Sequence, residues 1–214
     1  MSDITIRKFE LPKDIPLEEA IQDLNVLAFP EFEDVNESPY FYISRAMDLK
    51  ELFIALDGEK LVGYGAGTLF KDLESGFEDS YKKKLNYAAY PQEFALSLKD
   101  KLEKDALAFT YEGDISARYY SNELTNNPRI NDSDFLMVAM AVHPDYQGRG
   151  IGTQLIKQRL TMAKEQGAAQ AFVDCWENGG SKKLYENAGF KPILYTKPAF
   201  PDGSGEFFMG KSLN

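Results

Sequence analysis

Cysteine and histidine are almost missing from this 214-residue chain, which has one of each, Cys175 and His143. One cysteine cannot close an internal disulfide, and one histidine cannot build a histidine-rich metal site. A basic excess is missing as well: 34 acids stand against 24 bases, for a net charge of −10. That argues against nucleic acid or an anionic membrane as partner, because phosphate contacts need a basic face. Long apolar runs are missing too. The longest, residues 135–142, has eight residues, against the ~20 that span a bilayer. The opening MSDITIRKFELPKD shows no apolar core of a secretory signal. These absences predict a cytoplasmic chain without disulfides or metal. What is present suffices for a real core: 43% hydrophobic and 13% aromatic residues, with 27% charged. The length suits one domain, or one with a sizeable insertion.

The charge is uneven. Residues 1–134 carry a net −12 and residues 135–214 a net +2. Six bases (Arg149, Lys157, Arg159, Lys164, Lys182, Lys183) fall within 149–183. Such charges can be solvated helix faces. Alternatively, the C-terminal third meets an anion while the acidic front meets something neutral or cationic.

Periodicity predicts the element order. Ile4 and Ile6 alternate with polar residues as a first strand, and residues 17–29 carry a helical stripe ended by Pro30. Residues 40–47 form a shorter helical candidate. Residues 52–56 and 60–70 read as a hairpin across an Asp57-Gly58 turn. Gly63, Gly65 and Gly67 in its second strand predict close packing against that backbone. Residues 71–133 read as an insertion, with a surface helix around Phe94, Leu98 and Leu102; it is a lid or decoration. Residues 135–142 form the best buried strand. A helix over 151–166 follows, with Leu155, Ile156, Leu160 and Ala163 inward and Gly167 closing it. Strands over 171–176, 191–195 and 206–212 and a helix over 181–188 complete a mixed α/β sheet covered by helices.

The informative segment is Gln147-Gly148-Arg149-Gly150-Ile151-Gly152, between the buried strand and the long helix. Glycines let a ligand approach the backbone, and the first helical turn offers unpaired N–H groups at a positive dipole end. That combination suits a pyrophosphate. A tight turn alone needs one glycine, not three in alternation. No Gly-Lys-Ser/Thr marks a nucleotide-triphosphate loop. Dinucleotide and S-adenosylmethionine readings expect more βα units than the 62 residues after Gly152 allow.

The segment AMAVHPDYQGRGIGTQLI resembles the GNAT family, the Gcn5-related N-acetyltransferases, through its Q/R-x-x-G-x-G/A motif at Gln147, Gly150 and Gly152. NGGSKKLYENAGF, with Asn178 and Tyr185, is similar to a second family signature. The likeness is strong over residues 134–195. It implies a mixed, mostly antiparallel sheet with splayed central parallel strands, flanked by helices, in a single domain over 1–214 with the insertion at 71–133.

The resemblance also implies acetyl-CoA as co-substrate, without metal, and acetyl transfer to a primary amine by direct attack in a ternary complex. Backbone groups of Met140, Ala141 and Val142 would pair with the pantetheine arm. Gln147, Gly148, Arg149, Gly150, Ile151, Gly152 and Thr153 would hold the pyrophosphate. Lys182 and Lys183 would meet the outer phosphate, or are simply exposed. Tyr185 would protonate the departing thiolate, and Asn178 would contact the pantetheine or cap the helix of Tyr185. Asp174, Glu177 and Glu206 are the candidate bases. His143, beside Pro144, reads as a loop residue, and Cys175 as a buried one without an activating partner. The acceptor would be a small-molecule or peptide amine, with a cationic one favoured by the acidic front, and a homodimer is open. The rival is a non-catalytic acyl-CoA-binding or protein-interaction module of the same fold. An intact Tyr185 and glycine loop favour the enzyme.

Overall fold

Alternating and continuous apolar runs form strands, and i,i+4 stripes form helices, in the order the sequence predicts. A computed structural model describes residues 3–29, 51–72, 130–196 and 205–214. The strands are β1 (Ile4–Lys8), β2 (Leu52–Asp57), β3 (Lys60–Leu69), β4 (Phe135–Val142), β5 (Gln170–Trp176), β6 (Lys191–Thr196) and β7 (Glu206–Ser212). The helices are α1 (Glu18–Ala28), α2 (Ile151–Glu165) and α3 (Ser181–Asn187). The seven strands form one sheet in the order β1-β2-β3-β4-β5-β7-β6. Every neighbouring pair is antiparallel except β4 with β5.

Helix α2 packs Ile151, Leu155, Ile156, Met162 and Ala163 against one face of the sheet, together with Tyr185 of α3. Helix α1 covers the other face with Ile21 and Leu24. A buried hydrogen bond fastens α1 to β3: the Tyr64 hydroxyl donates to Asn25 Oδ1 at 2.7 Å. Burial pushes that phenol well above the ordinary tyrosine range, against the opposing charge of Arg159, so it remains a neutral donor.

Two boundaries differ from expectation. Asp57 pairs with Lys60, so the hairpin loop is Gly58-Glu59 rather than Asp57-Gly58; the positive φ of 62° falls on Gly58 as the first loop residue. A 3₁₀ turn over Ile15–Leu17, with Pro16 in its first positions, precedes α1 and takes the first residue of the expected helix. The helix expected at 40–47 and the one around 94–102 lie outside the described residues. The ends of the 71–133 segment are hydrogen-bonded to each other: Phe70 N donates to Asp134 O (3.0 Å) and Lys71 N to Asp132 O (2.9 Å).

The three glycines of β3 do meet close neighbours. A Cβ on Gly63 would stand 3.1 Å from the Ala141 carbonyl, and on Gly65 3.1 Å from Arg159 Nε. On Gly67 it would lie 2.5 Å from the Phe135 ring and 2.9 Å from the Leu136 carbonyl. Backbone cannot yield as a flexible side chain can. Gly67→Ala is therefore expected to destabilise the fold by about 1–3 kcal/mol in urea titration, as overpacked sites do. Gly180→Ala, where a Cβ meets nothing within 4 Å, should stay within about 0.5 kcal/mol of the parent.

Candidate functional site

The sheet opens along its parallel seam. β4 and β5 pair at only three positions, Phe135 with Ala171, Leu136 with Phe172 and Met137 with Val173. Asp134 closes that end: its buried carboxylate accepts from Gln170 N (3.2 Å) and Asn131 N (2.9 Å). Beyond Met137 the strands diverge at a β-bulge. Ala66 faces Ala139 and Thr68 faces Leu136, so Met137 and Val138 together stand opposite Gly67. The bulge reverses the strand's alternation. Phe135 and Met137 point to the α2 face, but past the bulge Met140 and Val142 do, while Ala139 and Ala141 join the α1 face.

Backbone phase follows from one hydrogen bond. His143 N donates to Val62 O at 2.9 Å, so His143 faces β3. Successive residues present their N–H and C=O to opposite edges of a strand. Ala141 therefore turns toward β3, whereas Met140 and Val142 turn toward the open seam. Gln147 reaches into the seam from below and donates through Nε2 to Val142 O at 3.1 Å.

The glycine loop lies at the mouth. Gly148 and Gly150 take φ of 74° and 79°, and Gly150 is the left-handed N-cap of α2; side-chain-bearing residues avoid that region. The first intrahelical bond runs from Gln154 N to Gly150 O. The N–H groups of Ile151, Gly152 and Thr153 thus precede the helical ladder and carry its positive dipole end. Gly152 has another reason to be glycine: a Cβ there would stand 3.0 Å from Leu184 Cδ2 of α3. Arg149 stacks over the Tyr146 ring at 4.6 Å and donates to Asp145 O at 3.0 Å. The Tyr146 hydroxyl in turn donates to Asp57 at 2.9 Å, which raises its pKa. Arg149 braces the loop, and it is not among the residues lining the cleft.

Seam, loop and helices enclose a cleft of about 790 Å³. Met140, Ala141, Val142, Gln147, Gly148, Gly150, Ile151, Gly152, Thr153 and Tyr185 all line it, with Asp174 and Trp176 from β5 and Leu24 and Leu27 from α1. Asn178 does not. Helix α3 starts from Gly180 as its N-cap, two residues after Asn178. Lys182 pairs with Glu186 at 3.2 Å and lies over the Phe207 ring at 4.3 Å, away from the lining. Lys183 is exposed.

Among the candidate bases, Glu177 accepts from the Tyr195 hydroxyl and from Gly205 N, both at 2.8 Å, which ties its two oxygens to the β6–β7 side. Glu206 begins β7, and its side chain lies outside the described residues. Of the two whose side chains are described, Asp174 lines the cleft and Glu177 does not. His143 Nδ1 accepts from Asp145 N at 3.3 Å, the loop role expected of it. Cys175 is buried in the core.

One functional candidate escaped the sequence reading. Arg159 of α2 is 0% exposed. Its Nε donates to Leu155 O (3.4 Å), its Nη1 to Ala66 O (3.0 Å) and Ala139 O (3.4 Å), and its Nη2 to Met140 Sδ (3.1 Å) and the Tyr185 hydroxyl oxygen (3.2 Å). The signal was available: 155, 159, 162 and 163 share one helical face, so an arginine at 159 points inward. Gly65, opposite it, leaves the room.

Among the described residues no three metal-ligating side chains cluster, and no helix is long and apolar enough to cross a membrane. Residues 113–192 match the acetyltransferase (GNAT) domain family. The ribosomal protein bS18 alanine N-acetyltransferase of Haemophilus influenzae is 32% identical over 66 residues, which are 31% of this chain and 45% of that protein. The chain thus spans about half the length of that relative. The enzyme of the same name from Escherichia coli (strain K12) is 25% identical over 118 residues, covering 49% of this chain and 80% of its own. In fold, the chain is similar to the NatC complex bound to Gag peptide and CoA, at a TM-score of 0.62 and 14% identity over 99% of both chains. The split sheet, the glycine loop at a helix start and the match over residues 113–192 agree: that part of the chain is similar to GNAT acetyltransferase domains.

Proposed function

We propose that the protein transfers an acetyl group from acetyl-CoA to a primary amine, both bound at once in the cleft. The observation that carries this reading is the seam: among the described residues, a strand edge without a partner strand after Met137, ending at three helix N–H groups that precede the intrahelical ladder. An extended pantetheine arm suits such an edge, since it can take up the hydrogen bonds of a missing strand. Met140 and Val142 present the backbone groups for it, and Ala141 only its small side chain. A pyrophosphate suits the N–H groups of Ile151, Gly152 and Thr153. The reading takes 1–214 as one domain with an excursion at 71–133, whose hydrogen-bonded ends support it. A cytoplasmic location, where acetyl-CoA is available, is part of the same reading.

Chemically, the amine nitrogen attacks the thioester carbonyl carbon. The C–N bond forms, the C–S bond breaks, and its electron pair leaves on sulfur. A backbone N–H at the seam can hold the oxygen as charge grows there. Tyr185, buried in the cleft wall with its ring edge on Phe190, gives its hydroxyl proton to the thiolate. The amine must lose a proton as it attacks, and Asp174 is the carboxylate placed to receive it, directly or through water. Asp174 also offers an anion to a protonated amine before reaction. The names of the relatives point to peptide α-amines as the first acceptors to try.

The test is thiol release from acetyl-CoA by the purified chain across an amine panel. Alanine-initiated peptides come first, then polyamines, aminoglycosides and free amino acids, with acetyl-CoA binding followed calorimetrically. Release stimulated by one amine class is the expected result. Binding without release for every amine would instead support a non-catalytic acyl-CoA-binding module, and absence of binding would overturn the cleft assignment.

A further inference from the structure

Arg159 is a cation at full burial, and desolvating it is costly without an anionic partner. Its five N–H protons meet five acceptors, none charged. Among the described residues no carboxylate forms an ion pair with it. A leucine or methionine would fill the same inward position of α2 without that cost. Three features of the fold instead accommodate the guanidinium. Gly65 leaves space beside Nε, Ala66 offers its carbonyl, and Ala139, paired with Ala66 at the edge of the bulge, offers its own. The contact with Tyr185 is the informative one, because Nη2 ends 3.2 Å from its hydroxyl oxygen.

Guanidinium has donors only. In that contact the phenol oxygen must accept, so the hydroxyl hydrogen has to point elsewhere. The remaining open direction is the cleft that Tyr185 lines. We propose that Arg159 is a positioning residue for Tyr185: it aims the hydroxyl proton at the departing sulfur and leaves a cation beside the tyrosinate that remains. The proposal rests on the acetyl-transfer reading. When the C–S bond breaks, its electron pair leaves on sulfur and the Tyr185 proton moves to it. Tyrosinate is then reprotonated from solvent or by the proton the amine has shed. Arg159 stays protonated throughout.

The test is a double-mutant cycle on the full chain with Tyr185→Phe, using the amine that the panel identifies. Arg159→Met should lower kcat by about 10- to 100-fold, the range of a lost charge-assisted hydrogen bond. KM for acetyl-CoA should change far less. Arg159→Lys, which keeps a cation and a donor, should recover most of the loss. In the Tyr185→Phe background Arg159→Met should cost nothing further in kcat, because its target is gone. Thermal melting of each variant reports the packing contribution separately. Should Arg159→Met not fold, Arg159→Gln completes the same cycle.

A kcat loss of equal size in both backgrounds would overturn the proposal and leave Arg159 a packing residue. So would equal impairment by methionine and lysine. If acetyl-CoA binds but no amine releases thiol, the acetyl-transfer reading fails, and this inference falls with it. The two failures are therefore distinguishable.

Discussion

Tyr185→Phe lowers kcat by about 100- to 10,000-fold in the expected result, the usual contribution of a positioned general acid. The ring stays in its socket against Phe190, so the cleft keeps its shape and acetyl-CoA affinity should barely move. Stability should fall as well. The substitution removes the acceptor of an N–H of the buried Arg159, and an orphaned buried donor costs about 1–3 kcal/mol. The measurement pairs steady-state kinetics with calorimetric binding. A variant that melts earlier yet turns over at the parent rate would remove Tyr185 from the chemistry and leave it only its packing.

Gly150→Glu attacks the other end of the cleft. The residue holds φ of 79° as the N-cap of α2, so any side chain there strains the backbone by about 1–2 kcal/mol. Glutamate adds a carboxylate at the helix start, where the reading places a pyrophosphate. Like charges then meet at a positive dipole end that one of them already occupies. Acetyl-CoA affinity should drop by at least about 100-fold, or roughly 3 kcal/mol. Gly150→Ala separates the causes, because alanine brings the strain without the charge and should weaken binding much less. Equal losses from alanine and glutamate would mean that the loop matters for its shape and not for a phosphate.

Much of this site was legible because it is contiguous. A continuous apolar strand, three alternating glycines and an amphipathic helix follow one another over residues 135–166, and local rules suffice for each. Crowding at β3 could also be read, since three glycines in a strand have little other use. The bulge could not. FLMVAMAV is apolar at every position, so no alternation exists in the sequence to show where the phase changes. Nor does any local signal place β7 between β5 and β6, because strand order depends on partners far apart in the chain. Arg159 was missed for a different reason. Charged residues on an amphipathic helix are ordinarily counted to its wet side, and here the helical spacing and the residue type disagreed. The spacing proved the better guide, since Gly65 on a distant strand had made room for the exception. The Asp57-Gly58 turn missed by one position, as dipeptide preference leaves register open until strand pairing fixes it.

The short ladder between β4 and β5 has a mechanical meaning. Strands β1–β4 form one leaf and β5–β7 another, joined edge to edge by three rungs under the Asp134 clamp. Like a book bound along only part of its spine, the sheet has one line where it can be prised apart. Whatever lies along that line as a substitute strand becomes a stitch between the leaves. A bound donor would then do two jobs with the same atoms, as reagent and as fastener. Its departure as CoA after each turnover would undo the stitch, so the reaction cycle and the cohesion of the sheet would keep the same rhythm.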